Sequence, residues 1–366
     1  MESCFPKGFL MHKAIVILVL ALILFPAFAS DVDTYCYSCL TATEQIAYQA
    51  IKDCITHLIT SWNCGSMTQE AIQRAYESLL MDHPEYYWAD SYTYVTSYVN
   101  NIISGHRVEF TYSMDAPRIS RRNDEITGAL YSFVSELTVP DKSTYSTVRA
   151  VFDRLVDTCS YDELNLDQSL YSVMVSGSGV CASFSKAFEF IMQCLGIPCT
   201  VVYGHLTQQE GVLGTTLGHE WNCVNIDGSW YHVDVTSALA VDKEDELSRY
   251  RFLCVTTNEI QKTHRIENPV PVPDCSDDSL DFFSLNGLKV DTYSRKAVET
   301  AMLRALDMGY SPVARFSNYM AFSEAIDDLF THQGIFRAIK ESTGMDVSSV
   351  DYQIDEQRLL IRIQMP

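Results

Sequence analysis

Apolar residues recur at helical spacing from about Thr41 to Thr60 and again from Thr68 to Leu80, where Ser66 reads as the cap. Pro84 breaks this pattern, and Tyr86, Tyr87 and Trp88 cluster behind it. Val108, Phe110 and Tyr112 then alternate with polar neighbours, the period of a strand. The aromatic cluster reads as packing against the next part of the chain, with a substrate platform as the alternative. A helix is predicted from Tyr145 to Thr158, ending near Ser160, Tyr161 and Asp162. Behind Ser176-Gly177-Ser178-Gly179-Val180, a further helix opens at Cys181, in which Phe184, Phe188, Ile191 and Leu195 form one apolar stripe. Gly196 stops it, and Pro198 to Tyr203 reads as a strand.

His219 to Ile226 and Ser229 to Thr236 are strand-like runs joined by Asp227-Gly228, which predicts a two-residue hairpin turn. In that register Ile226 faces Ser229, Cys223 faces His232, Trp221 faces Asp234 and His219 faces Thr236. The period of two places His219, Trp221, Cys223, Trp230, His232 and Asp234 on one side, with Asp234 the diagonal neighbour of His219. A slip of one residue would put the imidazole and the carboxylate on opposite faces.

Asn268-Pro269-Val270-Pro271-Val272-Pro273 reads as a stiff linker. Beyond it the pattern predicts a helix from about Ser294 to Leu306, a short strand near Val313, a helix from Ala321 to Lys340 and a hairpin around Val350 to Ile363. A four-residue connection from Asp355 to Arg358 would set Ile354 opposite Leu359, Tyr352 opposite Ile361 and Val350 opposite Ile363, all on one face, with Arg362 on the other.

The 366 residues are enough for a full-sized core, and 47% of them are apolar. Asp and Glu outnumber Lys and Arg by 47 to 26, a formal charge of -21 that repels phosphate backbones and speaks against a nucleic-acid partner. Lys7, His12 and Lys13 precede the apolar run 14–25, and Ala27-Phe28-Ala29 offers a small-x-small cleavage pattern before Ser30. Residues 1–29 thus read as an export signal, which places the chain in the secreted or surface compartment with no stable span after cleavage; a retained N-terminal anchor is the alternative. Twelve cysteines are present, and Cys4 would leave with the signal. The odd remainder leaves at least one thiol unpaired. Cys36, Cys39, Cys54 and Cys64 suggest two local disulfides, with a four-cysteine zinc site as the weaker reading. Cys194, Cys199, Cys223, Cys254 and Cys275 read as packing or disulfide residues.

One set of residues carries chemistry. At the first turn of a helix, unpaired backbone donors and the dipole favour thiolate over thiol at Cys181, and the same N–H groups suit a developing oxyanion. A histidine takes up the proton and returns it to a leaving amine, and a carboxylate fixes the imidazole tautomer. Cys181, His219 and Asp234 fit these roles. Each has a plainer reading taken alone: a core cysteine, a satisfied buried histidine, a capping aspartate. Cys223 and His232, facing each other, invite a zinc reading together with Cys181, but zinc would occupy ligands that the catalytic reading needs free; no metal and no cofactor are expected.

The stretch GSGVCASFSKAFEFIMQCLGIPCTVVYGHL, followed by GHEWNCVNIDGSWYHVDVTSA, resembles the secreted bacterial branch of the transglutaminase-like superfamily, which has a papain-like core. The resemblance covers roughly Tyr145 to His264; RYRFLCVTTNEIQKTHRI is similar to the strand that closes that core, and HPEYYW at 83–88 resembles the lead-in of related secreted proteins. Ala182 departs from a frequent glycine. The resemblance maps the family's cysteine, histidine and aspartate onto Cys181, His219 and Asp234. It implies an α+β fold with a papain-like catalytic domain over 141–267, which the pattern of the chain flanks with a helical N-terminal region carrying a small strand element over 30–140, a linker over 268–275 and a small α/β accessory domain over 276–366. It also implies cysteine-dependent acyl transfer or amide hydrolysis through a thioester, on a peptide, protein or cell-wall peptide substrate. The alternative is a catalytically silent domain that binds a cell surface or wall.

Overall fold

The computed structural model describes residues 34–207, 217–241, 247–356 and 358–364. The export signal expected over 1–29 lies outside them. No described helix is long and apolar enough to cross a membrane. The chain divides into two compact units, one built from residues up to 240 with 255–276, the other from 241–254 with 277–366.

In the first unit, helix α1 (Ala42–Thr56) opens on a capping box in which the Thr41 hydroxyl accepts from the Glu44 N–H while Glu44 reaches back to the Thr41 N–H. It buries Ala47, Tyr48, Ile51 and Ile55, the four-residue spacing of one helical face. Strand β1 (Ser61–Gly65) follows, then helix α2 (Gln69–Asp82). Its cap is Thr68, not Ser66, because the Thr68 hydroxyl is the one that accepts the Ala71 N–H. Strands β2 (Ala89–Val99) and β3 (Ile102–Tyr112) complete an antiparallel sheet in the order β1-β3-β2. Trp88 is buried with its indole N–H on the Ile55 carbonyl, and Tyr86 and Tyr87 meet it edge-on, so this cluster packs rather than presenting a platform.

Helix α3 (Ala116–Ser135) has no counterpart in the sequence reading. Asp115 caps it, Pro117 sits in its first turn, and it buries Ile119, Ile126, Leu130 and Val134. Helix α4 (Thr144–Thr158) matches expectation. Helix α5 (Cys181–Cys194) begins at the cysteine and buries far more than the expected stripe: Ala182, Ser183, Ser185, Ala187, Glu189 and Met192 are enclosed along with Phe184, Phe188 and Ile191. A helix apolar on most sides belongs in the centre of a domain. The N-terminal region closes over it, with the Gln193 amide donating to the Asp82 carbonyl and the Cys36 thiol against the Thr200 hydroxyl.

Strands β4 (Cys199–Leu206), β5 (Leu217–Ile226), β6 (Ser229–Val233) and β7 (His264–Ile266) lie antiparallel in the order β7-β4-β5-β6. The hairpin register is the expected one at Ile226↔Ser229 and Cys223↔His232. Asp227 and Gly228 take φ of 53° and 100°, the two positive values that a tight hairpin turn demands. The second strand is shorter than expected. Pairing ends at Val233 because Asp234 turns to cap a short helix, Val235–Leu239, so the pairings Trp221↔Asp234 and His219↔Thr236 do not form.

Residues 268–275 are packed onto this unit: Asn268 accepts the Tyr203 N–H, and Val270 and Cys275 are buried. No disulfide joins the described cysteines. The local pairs suggested for Cys36, Cys39, Cys54 and Cys64 are not formed, and Cys36 is directed into the core at Thr200.

In the second unit, strand β8 (Lys289–Val290) precedes helix α6 (Arg295–Asp307), which Ser294 caps, and strand β9 (Val313–Phe316). The long helix expected over 321–340 is broken. Helix α7 (Tyr319–Ile326) runs into a wider turn at Asp327–Thr331, Gln333 adopts a left-handed φ of 57°, and helix α8 (Gly334–Thr343) starts afresh. Strands β10 (Asp351–Asp355) and β11 (Leu360–Gln364) form the terminal hairpin, giving the sheet order β8-β9-β11-β10. Its register pairs Ile354 with Ile361 and Tyr352 with Ile363, displaced by two residues from the expected one. A displacement of two keeps every side chain on its own face. Strand β10 lies at the sheet edge, so Tyr352 and Ile354 are exposed while Ile361 and Ile363 are enclosed; Arg362 is also buried.

Candidate active site

The three side chains singled out in the sequence come from three elements of the first unit. Cys181 is the first residue of α5, partly exposed, after Val180 as an N-cap that supplies no side-chain acceptor. The turn before it is built by glycine. Gly177 ends the short helix Leu170–Ser176 at φ 69°, and a β-carbon on Gly179 would lie 2.7 Å from the Ser172 hydroxyl. Gly179 pairs in parallel with Tyr161, which brings that phenol to the cysteine. Burial, followed by the Cys181 thiol and Glu163, pushes the Tyr161 phenol up, while the Cys181 backbone N–H pulls it back.

His219 lies on β5 and is 7% exposed; Asp234 is 0% exposed. The His219 Nε2–H donates to Asp234 Oδ2 at 2.8 Å. Asp234 is saturated. His264 Nε2 donates to the same Oδ2 at 2.9 Å, while the Thr236 hydroxyl and the Ser237 N–H both donate to Oδ1 at 2.9 Å. Burial acts to neutralise His219, but the Asp234 charge and hydrogen bond override it, the Cys181 thiol adds to them, and the ring is raised to about 10. Burial would likewise raise Asp234, yet His219 and then His264 hold the carboxyl well below its usual range.

These opposed shifts define a pH window. A histidine raised on folding contributes stability that is complete below about pH 6.5 and is lost as pH climbs towards 10; a depressed aspartate contributes above its ordinary range near 3.9 and loses it as pH falls. The destabilisation caused by His219→Ala is therefore expected to be larger at pH 6 than at pH 10, as measured by urea midpoints of both proteins across that range.

The imidazoles are held from behind by Trp221, 1% exposed, which stacks on His219 at 5.9 Å and meets His264 edge-on at 4.9 Å. Gly204 permits this. It pairs with His219 on one side and Ile266 on the other, and a β-carbon there would come within 2.0 Å of the Arg265 carbonyl oxygen and 2.8 Å of the Trp221 ring. Gly204→Ala is expected to lose about 1–3 kcal/mol through overpacking, read as a lower thermal midpoint.

The structure places His219 on Asp234 and Cys181 near His219, with Asp234 arriving as a helix cap rather than as a strand residue. His264, Tyr161 and Gly204 were not singled out. Nothing local marks a histidine on a three-residue edge strand as a partner for a residue thirty positions earlier. The zinc reading of Cys223 and His232 is corrected in its third member: Cys275 joins them, whereas Cys181 faces His219. His219, Asp234 and His264 also form a set of metal-ligand types. Their contacts of 2.8 and 2.9 Å are hydrogen-bond distances, and both Nε2 atoms carry the protons that a metal would replace.

Residues 131–235 match the family model of the transglutaminase-like superfamily, a span that contains Cys181, His219 and Asp234. No curated protein matches the chain. Among solved structures, a TGase is 17% identical over 41% of this chain at a TM-score of 0.29; the aligned part spans 45% of that protein's length. A protein from Cytophaga hutchinsonii assigned as a cysteine protease is 14% identical, covering 52% of this chain and 70% of its own, at 0.28. The periplasmic domain of TgpA from Pseudomonas aeruginosa, bound to ethylmercury, is 21% identical, covering 37% and 56%, at 0.24. The family match, together with a cysteine and a histidine in one site, supports a general cysteine-dependent catalytic function for this α+β core.

Proposed function

With residues 131–235 matching the family model of the transglutaminase-like superfamily, we propose that this chain transfers acyl groups through Cys181, acting outside the cell on the amide bonds of peptides or proteins. The observation that carries the reading is the buried His219 imidazole, held by Asp234 through Nε2 and close enough to the Cys181 thiol to be raised by it.

Each group then has a role. With the His219 ring raised to about 10, the imidazole already holds the proton, and the reacting pair is a Cys181 thiolate beside an imidazolium that Asp234 stabilises. The sulfur attacks the substrate carbonyl, and the resulting oxyanion is met by the Cys181 backbone N–H and the Tyr161 hydroxyl, which already lie together. His219 returns its proton to the departing amine or ammonia, leaving a thioester on Cys181. Water or a second amine attacks the thioester, with His219 taking its proton, and Cys181 is regenerated. Export follows from the leader-like pattern at residues 1–29.

Tyr161→Phe removes only the hydroxyl. Turnover of an activated acyl ester is expected to fall about 10²-fold with little change in stability, since the phenol is partly exposed. The test of the function itself is trapping: the chain is exposed under reducing conditions to peptide and cell-wall extracts, and Cys181 is followed by intact-mass and peptide mass spectrometry. An acyl adduct on Cys181, absent from Cys181→Ala, is the expected result and names the substrate. Consistent absence of an adduct from the reduced, folded protein would overturn the reading in favour of a surface-binding module.

A further inference from the structure

A second cluster of reactive side chains lies in the first unit and takes no part in the chemistry above. Cys223 on β5 stands opposite His232 on β6, and Cys275 reaches them from the irregular segment that follows β7. The two sulfurs are 3.7 Å apart, and His232 Nδ1 is 3.2 Å from Cys223 Sγ. All three residues are buried. The hydrogen bond from the Cys223 thiol is the largest influence on Cys275; burial opposes it, His232 adds to it, and the Cys275 thiol is lowered to about 6. Burial pushes Cys223 the other way. The two neighbouring sulfurs are thus shifted in opposite directions, Cys275 down and Cys223 up.

Two cysteines and a histidine suit either a metal or a disulfide, and the ring of His232 discriminates between them. Its Nδ1, the nitrogen towards the thiols, already accepts the Trp221 indole N–H at 3.1 Å, and its Nε2 meets the Thr257 hydroxyl at 3.1 Å. A metal on Nδ1 would strip a buried indole N–H of its acceptor, at about 1–3 kcal/mol. The cluster also has only three ligand residues among those described, whereas a closed structural zinc site takes four. Disulfide formation disturbs neither bond of His232.

We propose that Cys223 and Cys275 are a redox pair that closes to a disulfide by exchange with a low-molecular-weight disulfide. The Cys275 thiolate attacks one sulfur of the external disulfide, forming a mixed disulfide and expelling one small thiolate. That thiolate takes the Cys223 proton; the Cys223 sulfur then attacks the Cys275 sulfur and expels the second small thiolate. Two electrons pass from the protein to the external disulfide, which leaves as one thiol and one thiolate. Because all three residues are buried, exchange requires the segment 268–275, which has no helix or strand of its own, to move aside.

The test uses the full chain, with Cys181→Ala as a parallel sample so that exchange at the exposed thiol is accounted for. Both are equilibrated in glutathione buffers of increasing glutathione disulfide, quenched with acid, alkylated and mapped without reduction. The expected result is a Cys223–Cys275 linked peptide that accumulates with oxidation, disappears with dithiothreitol and forms equally in Cys181→Ala. Cys275→Ser is expected to leave Cys223 alkylatable throughout, and Cys223→Ser to leave Cys275 as its glutathione mixed disulfide. The proposal is overturned if both thiols of the folded wild-type chain remain alkylatable in glutathione disulfide alone, if they bridge to other cysteines, or if the chain binds one equivalent of zinc that protects this pair from alkylation. The wild-type map decides the matter even where a serine variant fails to fold.

Discussion

Cys181→Ala is expected to lower turnover of an activated acyl ester by roughly 10⁴- to 10⁶-fold while leaving the fold intact. The size follows from the chemistry: with no sulfur there is no thioester, and His219 and Asp234 have nothing to activate. What remains is positioning and the backbone donor at the start of α5. Stability should change little, because Cys181 is only partly buried at a helix start and its removal opens no large cavity. Equal thermal midpoints combined with a collapse of turnover would assign the loss to chemistry; residual turnover near the wild-type level would place the nucleophile elsewhere.

Asp234 should show the largest effect on stability and activity together. Its carboxylate is fully buried and accepts four hydrogen bonds, two from imidazoles and two from its own helix cap. Asp234→Ala removes the counter-charge that holds His219 protonated against its burial and leaves His264 without its acceptor, and breaking a buried pair in this way costs about 3–5 kcal/mol. Asp234→Asn keeps the volume and the cap acceptor but presents an amide that can accept only one way round. It is expected to spare most of the stability and still reduce turnover by about 10⁴-fold, because the imidazole is no longer held in the productive tautomer. Urea melts and ester turnover on both variants separate the two contributions.

The parts of this molecule that are readable from sequence are those governed by local rules. The start of α5 follows from the glycine turn and the apolar spacing behind it, and the β5–β6 register follows from Asp227-Gly228. Parity explains why the site survived an error: the second strand ends at Val233, but Asp234 leaves it with its side chain still directed at His219, where a one-residue slip would have separated them. The same parity tolerated the two-residue displacement of the C-terminal hairpin.

What was not readable depends on contacts distant in sequence. α3 escaped notice because its apolar positions, Ile119, Ile126, Leu130 and Val134, are sparse among charged and polar residues, and what buries them lies elsewhere in the chain. The break at Gln333 within the expected long helix is a backbone choice that periodicity does not encode. His264 and Gly204 acquire their meaning only when β7 is laid beside β4: one completes the hydrogen bonds of Asp234, the other clears the space that lets Trp221 and β7 close on the imidazoles. Likewise, no spacing rule pairs Cys223 with Cys275.

The central claim is that the Cys181 sulfur is activated by His219. The most direct measurement is the rate of carboxamidomethylation of each cysteine at neutral pH, resolved by peptide mapping in the wild type and in His219→Ala. The account predicts that Cys181 reacts well ahead of Cys39, Cys159 and Cys194, which are also partly exposed, and that its advantage falls by about 10²-fold when His219 is removed. A Cys181 that reacts no faster than those three, or at the same rate with and without the imidazole, would contradict it.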